Sequence, residues 1–169
     1  MTDAKDTVAE IKEIAQLCTG CGACKQACPV NAITMPLDAE GFPFPEIDTT
    51  VCIACGKCAA VCQVAHPGTD AEPLFVKGLY ALDPNKRAAG SSGGVMGLLG
   101  ERLLSSGGVV FGAIFDSSMK SVRHASTEEV DFGRLLRSKY SQSEAWLVYG
   151  DVRRFLREGK KVLFCGTPC

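Results

Sequence analysis

Eight of the ten cysteines in the chain fall into two runs with one spacing. Cys18, Cys21, Cys24 and Cys28 form C-x2-C-x2-C-x3-C, and Cys52, Cys55, Cys58 and Cys62 repeat it 34 residues later. The pattern suits an iron–sulfur cluster. A 4Fe–4S cube has four irons, each taking one thiolate. A C-x2-C-x2-C loop wraps one cube and supplies three ligands, so a fourth must come from elsewhere. Structural zinc sites pair two C-x2–4-C knuckles and do not run three cysteines this closely. Gly20, Gly22 and Gly56 let the backbone turn tightly beside the thiols, so that amide N–H groups point at sulfur.

Residues 18–62 resemble a bacterial two-cluster ferredoxin domain. In such domains the last cysteine of each run ligates the other cluster. The resemblance therefore implies Cys18, Cys21, Cys24 and Cys62 on cluster 1, and Cys52, Cys55, Cys58 and Cys28 on cluster 2. Pro29 matches the usual proline after the fourth cysteine, and Gln63 stands where the second would be. His66, just beyond, is read as a solvated linker histidine.

The rest of the chain must position this module or use it. Its 169 residues allow one ordinary domain, or one small domain and part of a second. Net charge is −1, which gives no reason to expect a nucleic-acid partner. Residues 1–80 hold 5 lysines against 10 acids, whereas residues 117–169 hold 10 basic residues against 6 acids. An acidic first part suggests a redox partner with a basic docking face. The N-terminus is charged from Asp3 to Glu13 and does not read as a secretory signal. No apolar run approaches membrane-spanning length; Val109 to Phe115 is among the longest. A cytoplasmic protein with no membrane span is expected, where clustered cysteines act as metal ligands.

The patterning predicts a short helix with Val8, Ile11, Ile14, Ala15 and Leu17 on one side. It predicts a strand at Ile33–Met35, a turn at 38–41, and an extended return over 42–45. A linker follows at 66–73. Beyond it the pattern predicts a strand at 75–82, a small-residue loop at 88–94, and a helix at 95–104 capped by Ser91 or Ser92. Strands at 109–115 and 122–125, a helix at 128–137, a helix bearing Ala145 to Leu156, and a strand at 161–165 complete it. Trp146 is read as packing, His124 as structural, and Cys165 as a buried thiol at a strand end. The fold class expected is an α+β ferredoxin-like two-cluster domain over residues 1–72, then a partial α/β domain over 73–169. The chain stops at Cys165-Gly166-Thr167-Pro168-Cys169, where a sheet normally continues, so a fragment or a truncated product is expected.

In the second part Ser91-Ser92-Gly93-Gly94, Gly112-Ala113, Lys139-Tyr140-Ser141-Gln142-Ser143 and Val162 to Cys169 occur in order. Together they resemble the beta-subunit family of coenzyme F-420 hydrogenases and dehydrogenases, whose members often carry a two-cluster ferredoxin domain first. The resemblance implies an FAD in the second domain, exchanging a hydride with a deazaflavin or flavin donor and passing single electrons to the clusters. Ser92, Gly93 and Gly94 would receive the FAD pyrophosphate at a helix start, or serve only as a tight cap. Lys139, with Tyr140 and Gln142, and Gly166 with Thr167 would line the flavin site. Cys169 resembles a ligand of a further 4Fe–4S cluster in members that have one. Two other readings stand beside this one: a stand-alone ferredoxin-like electron carrier with a non-catalytic remnant tail, and a scaffold with structural clusters.

Overall fold

A computed structural model describes residues 17–68 and 71–167. The helix expected around Val8 to Ala15, and Cys169, lie outside the described residues. The described residues form two compact units, one ending at Ala71 and one beginning at Glu72.

Among the described residues the first unit holds two short helices and one hairpin. Helix α1 is Ala23–Ala27. Strands β1 (Ile33–Thr34) and β2 (Glu46–Ile47) pair antiparallel, with Ile33 opposite Ile47. Helix α2 is Lys57–Ala60. The hairpin turns where the sequence places it. The Asp38 carboxylate accepts from the N–H groups of Glu40 (2.9 Å) and Phe42 (2.8 Å), and the Asp38 N–H donates to the Phe42 carbonyl at 2.8 Å. The core is thin: Ile33 and Cys58 are buried, with Cys24, Cys28 and Ile47 packed against them.

The second unit is built on a mixed four-stranded sheet. Helices α3 (Pro84–Ala89) and α4 (Val95–Leu104) precede strands β3 (Val109–Phe115) and β4 (Val122–Ser126). Helix α5 (Phe132–Leu135), strand β5 (Ser143–Glu144), a 3-10 turn at Ala145–Val148, helix α6 (Tyr149–Arg157) and strand β6 (Val162–Phe164) follow. The order across the sheet is β5-β4-β3-β6. β3 runs antiparallel to β4 and parallel to β6.

Central β3 is covered on both faces, which is why its sequence is an unbroken apolar run. Period-2 alternation sends Val109 and Phe111 into one layer with Val148 and Phe155. Val110 and Ile114 enter the other layer with Ala125 and Leu135, against Met96 and Leu103 of α4. Trp146 is buried beside this sheet in the 3-10 turn.

Four expectations are corrected. Residues 75–82 form no strand: Phe75, Val76, Leu79 and Leu82 are exposed, and only Ala81 is buried, its N–H donating to the Gly93 carbonyl at 2.7 Å. A β-prone run needs a neighbouring strand, and none lies beside it. The cap of α4 is Gly94 (φ 71), not a serine. The helix expected at 128–137 shrinks to α5, because the N–H groups of Glu129 and Val130 turn back to the Ser126 carbonyl and Arg123 pairs with Glu129. Cys165 is exposed rather than buried.

Candidate iron–sulfur site

The cysteine loops repeat in conformation as well as in sequence. Gly22 (φ 70) and Gly56 (φ 69) cap α1 and α2 in the left-handed region. Two residues earlier, Gly20 (φ 65) and Ala54 (φ 55) share that conformation. These turns swing each chain around its thiols. At Ala54 the Cβ makes the conformation cost about 1 kcal/mol. Overlaying the repeats reveals this position, which reading single motifs passes over. Cys24 and Cys58 ride on the two short helices.

The thiols line two cavities. Cys18, Cys21, Cys24 and Cys62 line one, beside Thr19, Met35 and Gln63; Cys58 also touches it. Cys28, Cys52, Cys55 and Cys58 line the second, beside Val30, Ile33, Ile47 and Ile53. The grouping crosses the repeats: Cys62 sits with the first run and Cys28 with the second. Among the described residues no group of three His, Cys, Asp or Glu side chains is placed to hold a single metal ion. Four thiols grouped around one space are the ligand number that a four-iron cube requires.

Backbone amides reach the sulfurs. The Gly20 N–H donates to Cys18 Sγ at 3.5 Å, and the Ala32 N–H to Cys28 Sγ at 3.2 Å. Such donors stabilise thiolate charge and orient the ligands. Without metal, burial opposes ionisation of three of these thiols. Burial pushes Cys24 up to about 11, partly countered by the Lys25 amide, with Cys21, Cys18 and Cys58 adding to the rise. Burial likewise raises Cys18 and Cys58. Loading with iron must therefore release protons. His66 is exposed, and its N–H donates to the Cys62 carbonyl.

In the second unit the flavin-candidate loops come together. The Ser138 N–H donates to Ser91 Oγ at 2.8 Å, and Arg137 donates to the carbonyls of Ala88 and Ala89. Lys139 lies near enough to Cys165 for that thiol to counter, in part, the downward push that burial gives the ammonium. Several of these residues have internal roles. A Cβ on Gly93 would stand 2.4 Å from the Leu79 carbonyl oxygen. Lys139 Nζ donates to the carbonyls of Arg134, Leu136 and Arg137 at 3.0, 2.6 and 3.1 Å. A Cβ on Gly166 would stand 2.8 Å from the Phe164 ring, and Tyr140 is 98% exposed. Ser92 sits at φ 50 in the bend before Gly94.

His124 holds the loop that follows β6. Its ring stacks on Phe164, 4.8 Å between centroids. Nε2 lies 2.9 Å from the Cys165 carbonyl oxygen, which only accepts, so Nε2 carries the proton. Nδ1 then accepts from the Ser143 hydroxyl at 2.7 Å. Burial lowers its pKa below the ordinary 6.5, partly offset by the Cys165 carbonyl. The folded state thus favours the neutral ring, and the unfolded state binds the extra proton below 6.5. Stability from this residue is present above that pH and is lost as pH falls through it. The second unit is expected to lose melting temperature between pH 7 and 5, and a His124→Asn variant should flatten that loss; equal slopes would contradict the assignment.

Residues 17–65 match the 4Fe-4S dicluster domain family. The first unit is a ferredoxin-like 4Fe–4S domain in a mixed α/β chain. The chain is also 23% identical to the F subunit of the F(420)H(2) dehydrogenase of Methanosarcina mazei, over 95% of this chain and 49% of that protein. It is 24% identical to the A subunit of the H(2):CoB-CoM heterodisulfide,ferredoxin reductase of Methanothermobacter marburgensis, over 83% of this chain and 29% of that protein. The chain thus spans about half the length of the first relative and less of the second. Together these matches support an F420-hydrogenase-like iron–sulfur protein. No solved structure matches the chain. Among the described residues no helix is long and apolar enough to cross a membrane.

Proposed function

We propose that this chain transfers electrons through two 4Fe–4S clusters, as part of a flavin-dependent oxidoreductase of the coenzyme F-420 hydrogenase/dehydrogenase beta-subunit type. The observation that carries the reading is the pair of cavities, each lined by repeat cysteines drawn from both runs. Cys18, Cys21, Cys24 and Cys62 would hold one cluster, and Cys28, Cys52, Cys55 and Cys58 the other. When bound, such clusters supply one-electron transfer. The chain's own part is to present thiolates, aim the Gly20 and Ala32 amides at sulfur, and wall off water with Ile33, Ile47 and Met35. The convergence of the loops around Ser91, Lys139 and Cys165 supports a flavin in the second unit. A redox partner protein or a deazaflavin or flavin donor would deliver the electrons, in a cytoplasmic setting. Cys169 would serve a further cluster in a longer form.

A stand-alone electron carrier is the second reading. It is favoured by the internal use of Lys139 and by the Leu79 backbone lying against Gly93. Anaerobic purification with iron, sulfide and flavin counts separates them. About eight irons and eight sulfides per chain are expected from two cubes. Stoichiometric FAD with them supports the oxidoreductase, iron without flavin supports the carrier, and absence of iron overturns both.

A further inference from the structure

We infer that His124 is a positioning residue: its imidazole ties together two of the loops that the proposed function assigns to the flavin, and the tie sets the space between them. The inference rests on the proposed function and adds a part to it. His124 lies in none of the motifs that suggest a flavin.

The need for a tie follows from the order of the sheet. β5 and β6 stand at opposite edges, with β4 and β3 between them. One loop, Lys139 to Ser143, runs into β5, and the other begins at Cys165, where β6 ends. Strand pairing therefore does not join them directly; a side chain from the middle of the sheet does. His124 lies opposite Ala113 on β3, and Phe111, two residues back, lies opposite Phe164 on β6. Residues that are opposite, or two apart on one strand, share a face. The small Ala113 leaves the imidazole room to cross β3 and stack on Phe164. From there its two nitrogens reach both loops. Nδ1 accepts from the Ser143 hydroxyl at 2.7 Å, and Nε2 donates to the Cys165 carbonyl at 2.9 Å.

Two further observations place the loops at close quarters. Lys139 on the first is near enough to Cys165 on the second for that thiol to act on its ammonium. Gly166, next to the tied carbonyl, folds back over the stacked rings: a Cβ there would stand 2.8 Å from the Phe164 ring and 3.5 Å from His124 Nε2. His124 is itself buried, and both its nitrogens are taken up by the loops, so it acts through Ser143 and Cys165 rather than on a ligand. A neutral imidazole suits the task, because one nitrogen accepts while the other donates. Cutting either bond frees the ring to turn and loosens the spacing of both loops.

The test is a titration of FAD onto the whole, cluster-loaded chain, followed by quenching of flavin fluorescence. It compares wild type, His124→Gln, Ser143→Ala and the double variant. A glutamine amide reaches as far as Nε2, so His124→Gln keeps the Cys165 bond and gives up the Ser143 bond. Ser143→Ala cuts the same bond from the other side, at a half-buried edge position outside the core. Each single change should raise the FAD dissociation constant about tenfold, the cost of one hydrogen bond. The double variant should lose no more than either single one, because one tie is cut only once. Wild-type affinity in both single variants would overturn the inference and leave His124 as packing alone. A double loss of about a hundredfold, the product of two independent tenfold losses, would also overturn it, by giving Ser143 a contact of its own. Melting curves on the same samples keep folding apart from binding: a purely structural role lowers the melting temperature and leaves the affinity of folded protein unchanged. Wild type that takes up no FAD rejects the flavin reading and this inference with it. Wild type that binds FAD beside unchanged variants rejects the inference alone.

Discussion

Cys55→Ala is expected to lower iron and sulfide from about eight to about four per chain and to unfold much of the first unit. Cys55 lines the cavity that also holds Cys28, Cys52 and Cys58, so its loss removes one of four thiols from that site. The structural consequence follows from how little else holds the unit. Among the described residues its buried apolar side chains are Ala32, Ile33, Cys58 and Ala59, and its strands are two residues each. A hairpin of that size is not stable alone in water. Below about 70 residues a domain usually needs a staple, and here the cluster would supply it, so metal affinity becomes folding energy. Cys21→Ala should do the same at the other site. Proteolysis should then cut within residues 17–68 and spare the sheet of the second unit. Full iron and wild-type resistance in either variant would reject the ligand assignment.

Phe111→Ala is expected to destabilise the second unit by about 3–5 kcal/mol, the range for emptying a large buried aromatic. Phe111 has no exposed surface, and it lies between the ring of Phe155, 6.1 Å away, and that of Phe164, 6.3 Å away. It also occupies the strand that joins β4 to β6. A domain typically has about 5–15 kcal/mol in total, so this one change consumes much of it. A guanidinium unfolding midpoint measured on the second unit's signal should fall sharply, while the iron content stays. A loss below about 1 kcal/mol would mean the sheet repacks around the void.

The elements legible in advance were those set by local chemistry. The α4 helix and β3 appear at the expected residues, because an amphipathic stretch closed by Gly107 and a continuous apolar run each encode one periodicity. The 38–41 turn is legible because the Asp38 side chain satisfies its own loop. The misreadings share a cause. Residues 75–82 have strand propensity but no strand beside them, and residues 128–137 have helical charges but lose their first turn to the Ser126 carbonyl. Propensity is worth fractions of a kcal/mol per residue, and tertiary hydrogen bonds outweigh it.

The same division holds at the site. Sequence alone pointed to these thiols as ligands, because the C-x2-C-x2-C spacing suits three ligands of one loop. The tertiary structure brought Cys62 beside the first run and Cys28 beside the second, the grouping the resemblance implied, and it alone decided that Thr19 and Ile53 border different cavities and that His124 grips the Cys165 carbonyl. These juxtapositions join residues up to 44 positions apart in sequence, as with Cys18 and Cys62. No local rule reaches that far; the packing of two short helices and a hairpin around a shared centre does.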